Sequence, residues 1–418
     1  MRARAIGLLF LILPVACADT GSAPQGVTAA PAPDAPTSPA SQVATAPGGA
    51  AAGAGAGQAD ARAANQVAAS AVALPGVPVD DVVDGELGRD LDAMLAGLSD
   101  EGFAGAALVA DSGTIYLKKG YGLADRDLRI PNNSETLFDV GGLARILTAA
   151  AILKLDDEGR LQVGDPVGRY LDALPDGKNG ATLHQLLINT SGLISVDAHL
   201  DGASRAAFVD SIRASPAAHA PGAEFHLSAA GYSLLAAVVE ETADLPFERY
   251  LQRALLLPAG MASTGFAWEE RWQQRRVAVG YDGLAPGDLQ PVDPPEDRWD
   301  HRGPGNIVTT VGDLYRFILA LKYGTILSPA STREMFTAYI GTEGYSWHII
   351  DDSTRGSLVR RGGEVSGFES SLRWYRDSDL MIIFTVNSNI GHRIAVARGI
   401  ADVLEKHIPS PGKRHPGP

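Results

Sequence analysis

Two strand-forming regions lie near opposite ends of this 418-residue chain with a long helical stretch between them, and that arrangement limits the folds open to it. Gly105–Ala110 and Thr114–Lys119 flank Asp111-Ser112-Gly113, a hairpin signal, and Gly120-Tyr121-Gly122-Leu123-Ala124-Asp125 closes the first sheet segment. Ser357–Arg361, Phe368–Tyr375 and Leu380–Asn387 read as three strands joined by short turns. Between the two regions, from about Gly141, the pattern becomes helical, with Pro166, Pro175, Pro216 and Pro221 as punctuation. Thr309-Thr310 stands where it would cap a helix carrying Leu314, Phe317, Ile318 and Leu321. Leu87, Leu91, Met94, Leu95 and Leu98 recur at helical spacing within Asp84–Leu98, and a second helix is expected over Arg393–His407. Sheet at both ends with helices inserted implies an α+β fold. It would be an antiparallel sheet flanked by terminal helices, plus an inserted, mostly helical subdomain.

Hydrophobic residues make up 45% of the chain, enough for a sizeable core. A net charge of −14 argues against a nucleic-acid partner, which needs a basic face. The single cysteine excludes an internal disulfide. It is Cys17, and it follows Arg2, Arg4 and an apolar run from Ala5 to Ala16, the form of a secretory signal peptide over residues 1–17. Val15-Ala16-Cys17 also resembles the lipidation site of bacterial lipoproteins. The protein is therefore expected to be exported to the bacterial periplasm or outer surface, held to a membrane by a lipid on Cys17. Residues 18–79, rich in Ala, Gly and Pro, read as a disordered linker. A folded domain is expected over residues 80–408, and residues 409–418 form a flexible tail.

Several motifs recur in a recognisable order. Thr136-Leu137-Phe138-Asp139-Val140-Gly141-Gly142-Leu143-Ala144-Arg145 runs into Ile146-Leu147-Thr148-Ala149-Ala150-Ala151. Leu186-Leu187-Ile188-Asn189-Thr190-Ser191-Gly192-Leu193 follows, then Phe225-His226-Leu227-Ser228-Ala229, Pro246-Phe247-Glu248-Arg249-Tyr250-Leu251, and Gly362-Gly363-Glu364-Val365-Ser366-Gly367-Phe368. In this order they resemble the serine β-lactamase and penicillin-binding-protein family, with class C β-lactamases, DD-peptidases and related esterases nearest in character. The resemblance spans about residues 100 to 405 and implies the same α+β architecture.

In that family a serine and a lysine three positions apart on a helix carry acylation, the lysine acting on the serine's proton. A tyrosine and an asparagine of the second motif, and a lysine or histidine of the third, complete the cleft, with an oxyanion hole from the third strand. Here the serine position reads Gly142 and the lysine position Arg145, which stays protonated and cannot act as a base. Leu227 stands for the tyrosine, Ala229 for the asparagine and Arg361 for the Lys or His ahead of Gly363. No serine occurs between Ser134 and Ser191 to replace the missing one.

These positions imply a secreted or envelope-anchored, non-catalytic binding or interaction module. The alternative is an active serine hydrolase of β-lactamase, DD-peptidase or esterase type using displaced residues, with Ser228 as nucleophile and His226 as base, or with Ser191 or Ser366 engaged. Arg145 and Arg361, facing one another across the cleft, suit an anionic small molecule or the carboxylate of a cell-wall peptide. The competing arrangement pairs Asp139 or Glu364 with one of them. His184, His226, His301 and His348 show no metal-type spacing, so neither a metal nor another cofactor is expected. Trp268, Trp272 and Trp299 fall in a long Pro-rich stretch whose aromatics serve either packing or binding.

Overall fold

Asp111-Ser112-Gly113 turns the chain as its composition requires. In this computed structural model Ser112 and Gly113 both take left-handed backbones, with φ of 49° and 88°. Residues 74–171, 180–193, 204–285, 287–352 and 355–408 are described. The expected signal peptide, Cys17, most of the linker and the tail at 409–418 lie outside the described residues.

The hairpin joins β2 (Gly105–Asp111) to β3 (Thr114–Tyr121) within a seven-stranded sheet. Its other strands are β1 (Val82–Val83), β4 (His348–Asp352), β5 (Gly356–Val365), β6 (Phe368–Tyr375) and β7 (Leu380–Val386). Their spatial order is β1-β3-β2-β7-β6-β5-β4, and neighbouring strands are antiparallel. The two sheet-forming regions meet where β7 pairs with β2, from Leu380 opposite Asp111 to Val386 opposite Gly105.

Both faces of the central strands are covered, so they lack polar alternation. Ala107 and Val109 of β2 join Ile382 and Phe384 of β7 beneath helices α1 (Gly85–Asp100) and α5 (His392–His407). Ala106, Leu108 and Ala110 face the helical subdomain instead. There α2 (Arg145–Asp157) is buried continuously from Ile146 to Leu153. Small side chains at Ala149, Ala150 and Ala151 admit α3 (Ala229–Ala243) alongside it. The hydroxyl of Thr310 caps α4 (Val311–Lys322) by accepting from the Asp313 nitrogen at 3.0 Å.

Two boundaries differ from the sequence reading. β5 runs straight through Gly362 and Gly363, which pair with Ser371 and Ser370; the glycines had suggested a loop. The edge strand β4 had no alternating pattern to announce it. At the other end the chain joins the domain before residue 80. Val77 is buried, and the Val77 carbonyl accepts from Arg316 Nη2 at 3.1 Å. The side chain of Lys118, fully buried in β3, reaches the Val79 carbonyl at 3.0 Å, the Ser134 hydroxyl at 3.1 Å and Glu135 at 2.6 Å. The expected linker therefore stops short of its last residues, which contribute apolar contact and carbonyl acceptors.

Lys118→Met preserves the buried stem but leaves those acceptors without their donor. It is expected to lower unfolding stability by about 1–3 kcal/mol in urea titrations. Residues 74–81 should become the first site of limited proteolysis.

Candidate functional site

Gly363 shows how the first and third motifs come together. A Cβ there would stand 1.9 Å from the Val140 carbonyl oxygen and 2.6 Å from the Leu143 nitrogen. Only glycine lets β5 lie against the 3₁₀ turn Gly141–Ala144 that leads into α2. The Ser370 hydroxyl fastens the contact by donating to the Val140 carbonyl at 2.9 Å. Gly141, with φ of 51°, presses on the Glu364 backbone, where a Cβ would come within 2.6 Å of the carbonyl oxygen. Gly142 is different: a Cβ would meet only Arg361 Nη2, at 3.8 Å. The position is open to a side chain that the sequence does not supply.

Arg361 lies beside it, 8% exposed. Its Nη2 donates to the Gly142 carbonyl at 3.4 Å, and its Nε is buried without a hydrogen-bond partner. Arg145 opens α2, its guanidinium carbon 5.5 Å from the centre of the Tyr232 ring. Burial pushes the Tyr232 phenol above its ordinary pKa, while Arg361 and, to a smaller extent, Arg145 pull it down. Both positive charges thus act on one buried ring, and Arg145 lies over its face. Neither carboxylate considered as a partner forms an ion pair with Arg361. Glu364 lies 3.6 Å from Arg393, and Asp139 accepts from the Gly141 nitrogen at 2.8 Å. Among the described residues, Arg361 has no ion-pair partner. The adjoining cleft has a volume of about 390 Å³, and its lining includes Gly142, Arg145, Ala229, Arg298, Asp300 and Glu364.

The second motif forms the facing wall. Leu227 is 41% exposed, whereas Ser228 is buried and its hydroxyl caps α3, accepting from the Gly231 nitrogen at 3.0 Å. The Ser228 nitrogen donates to Asn189 Oδ1 at 3.1 Å, and the Asn189 carbonyl accepts from the His226 nitrogen at 2.8 Å. Asn189 does this from a left-handed backbone, φ 57°, which asparagine tolerates. The other loop serines also have local roles: Ser191 Oγ accepts from the Leu193 nitrogen at 3.4 Å, and Ser366 donates to Asp282 at 2.9 Å.

The His226 ring packs beside His219, with ring centres 4.9 Å apart, and its Nε2 lies 3.4 Å from Glu224. His219 brings to this loop a third possible ligand that the four histidines considered in the sequence did not include. One ligand atom each from His219, Glu224 and His226 lies within 4.8 Å of the others. His184, His301 and His348 belong to other contacts, against Tyr345, Asn306 and Glu343. The spacing argument omitted His219, and a loop, with no regular periodicity, brings the three together. Trp272 and Trp299 are buried and Trp268 stacks on Phe266 at 4.8 Å, so these aromatics pack the subdomain.

Sequence reasoning did not identify Arg298 and Asp300, which pair at 2.9 Å on the cleft wall, nor the pinning of β5 by Ser370. Ser370 acts on a turn far away in the chain, and the local Arg298–Asp300 pair meets the cleft only through the fold.

Residues 91–405 match the family described as Beta-lactamase. The Bacillus subtilis (strain 168) protein PbpX is 34% identical over 243 residues, covering 57% of this chain and 60% of its own length. FmtA from Staphylococcus aureus superposes with a TM-score of 0.69 at 20% identity, over 82% of this chain and 96% of that one. A class C β-lactamase superposes at 0.66 and 20% identity, over 77% and 97%. The likeness to the two solved structures concerns the fold.

Two substitutions distinguish the open glycine from the packed one. Gly142→Ala should change stability by less than about 0.5 kcal/mol. Gly363→Ala should cost about 3 kcal/mol or more and broaden thermal unfolding, because backbone atoms cannot yield. Asp139 gives a pH test. Burial raises its pKa from 3.8 to about 6, against the lowering effect of the Gly141 hydrogen bond. A raised carboxylate pKa stabilises the fold fully below the unfolded value, and that contribution is lost as pH rises through about 6. Asp139→Asn should therefore gain up to about 3 kcal/mol on the wild type between about pH 4 and about pH 8, measured by urea unfolding.

Proposed function

We propose that this chain, which belongs to the β-lactamase family, is a non-catalytic binding module whose former acylation cleft takes an anionic ligand. The supporting observation is Arg361, a buried guanidinium with an unpartnered Nε and one long contact to the Gly142 carbonyl. It stands beside the point from which a nucleophilic side chain would project. Glycine supplies no nucleophile there, and arginine at position 145 cannot exchange the proton that acyl transfer needs. A carboxylate suits the planar fork of a guanidinium better than a neutral acyl group does. The free carboxylate of a cell-wall peptide fits this chemistry, as does a small carboxylate. The exported, lipid-held location expected from residues 1–17 would give such a module access to cell-wall peptides.

The test combines two measurements on the purified domain. Intact mass after incubation with a penicillin or a fluorophosphonate should remain unchanged. Titration with short peptides bearing a free C-terminal carboxylate should show binding that weakens about tenfold or more in Arg361→Ala. A stoichiometric adduct would establish instead a serine hydrolase using displaced residues, and peptide mapping would name its nucleophile. Carboxylate binding that survives unchanged in both Arg145→Ala and Arg361→Ala would remove the cleft from consideration.

A further inference from the structure

The loop that leads into the second motif is held to the segment Asn189–Gly192 at three points. The Ala218 nitrogen donates to the Gly192 carbonyl at 3.0 Å, Gly222 to Thr190 at 2.7 Å, and His226 to Asn189 at 2.8 Å. The approach is close. Gly192, with φ of 79°, has the His219 carbonyl oxygen where its Cβ would be, at 2.2 Å. These contacts fix the backbones that carry His219 and His226, so the two imidazoles are placed by the fold.

The three side chains gather potential ligand atoms in one small region. His219 Nδ1 lies 3.1 Å from the Ala220 carbonyl. A carbonyl only accepts, so Nδ1 carries the hydrogen and the neutral ring presents its lone pair on Nε2. That Nε2 is buried with no hydrogen-bond partner. His226 Nε2 and Glu224 Oε2 are 3.4 Å apart. Two ligand atoms each about 2.0–2.1 Å from a tetrahedral ion stand about 3.3–3.4 Å apart, the same separation. One ligand atom from each of the three residues falls within 4.8 Å of the others, a spread that small side-chain rotations close.

We propose that His219, Glu224 and His226 form a binding site for a divalent transition-metal ion, zinc being the best match to two imidazoles and one carboxylate. Calcium and magnesium prefer sets of oxygen ligands, which this site lacks. Three protein ligands leave a fourth position for water or an outside donor. The ion would close the loop onto the second motif, since His226 precedes by three residues Ala229 on the cleft wall. The site uses none of the groups assigned to anion binding and stands independently of that reading.

The untagged, chelator-stripped protein, titrated with zinc against a chromophoric competitor, should bind one equivalent per chain. Zinc should also raise its thermal midpoint. His219→Ala and His226→Ala should each weaken binding at least tenfold and abolish the thermal shift, and Glu224→Gln should weaken it several-fold with an unchanged circular dichroism spectrum. His348→Ala, remote from the loop, should bind as the wild type does. Failure to bind a stoichiometric equivalent would overturn the proposal, as would undiminished binding in a His219→Ala/His226→Ala double variant.

Discussion

The architecture of the cleft depends on one backbone contact, the approach of β5 to the turn Gly141–Ala144. At Gly363 no side chain intervenes between strand and turn, and Ser370 supplies the hydrogen bond that holds them. The contact sets the height at which α2 begins, and so the position of residues 142 and 145. Because Arg361 lies two residues before Gly363 on the same strand, its guanidinium reaches the Gly142 carbonyl. Moving β5 away by even one methyl group would uncouple the first motif from the third.

The second wall is fixed by a different contact and by the same economy of means. Asn189 holds Ser228 through its side chain and His226 through its carbonyl, from a left-handed backbone. The Ser228 hydroxyl then starts α3, whose packing on α2 closes the subdomain. The residues that build the cleft are glycines, small hydroxyls and an asparagine engaged with the backbone. The positions that would carry chemistry, 142, 145, 227, 229 and 361, take part in few of these contacts. The backbone contacts that shape the frame thus come mainly from other residues, in keeping with the rule that fold and function separate.

Much of the fold was legible in the sequence, because its signals are local. The Asp111-Ser112-Gly113 turn, the spacing of Leu87, Leu91 and Leu95, and the long apolar strand Leu380–Val386 each report their own element. Of the positions singled out from the motifs, Gly142, Arg145 and Ala229 line one cleft, and Arg361 reaches the Gly142 carbonyl beside it. What escaped depends on distant partners. β4 exists because β5 offers it an edge, Lys118 is buried because Val79 and Glu135 meet it, and His219 joins His226 because Gly192 draws the loop inward. The glycines of β5 misled for a related reason. Gly362-Gly363 reads as a turn when considered alone, and it is strand because a second backbone lies against it.

The electrostatics of Arg361 are the main physical support for the proposed anion binding. Removing a guanidinium from water costs several kcal/mol unless partners return that energy. Arg361 recovers little: a long contact to one carbonyl, proximity to a phenol, and nothing at Nε. Arg145 brings a second positive charge toward the same ring. A hydrophobic residue at position 361 would avoid the penalty. For the proposed anionic ligand, Arg361 would supply a buried guanidinium donor. The burial of Arg361 would strengthen its interaction with the proposed anionic ligand, since the local dielectric is low.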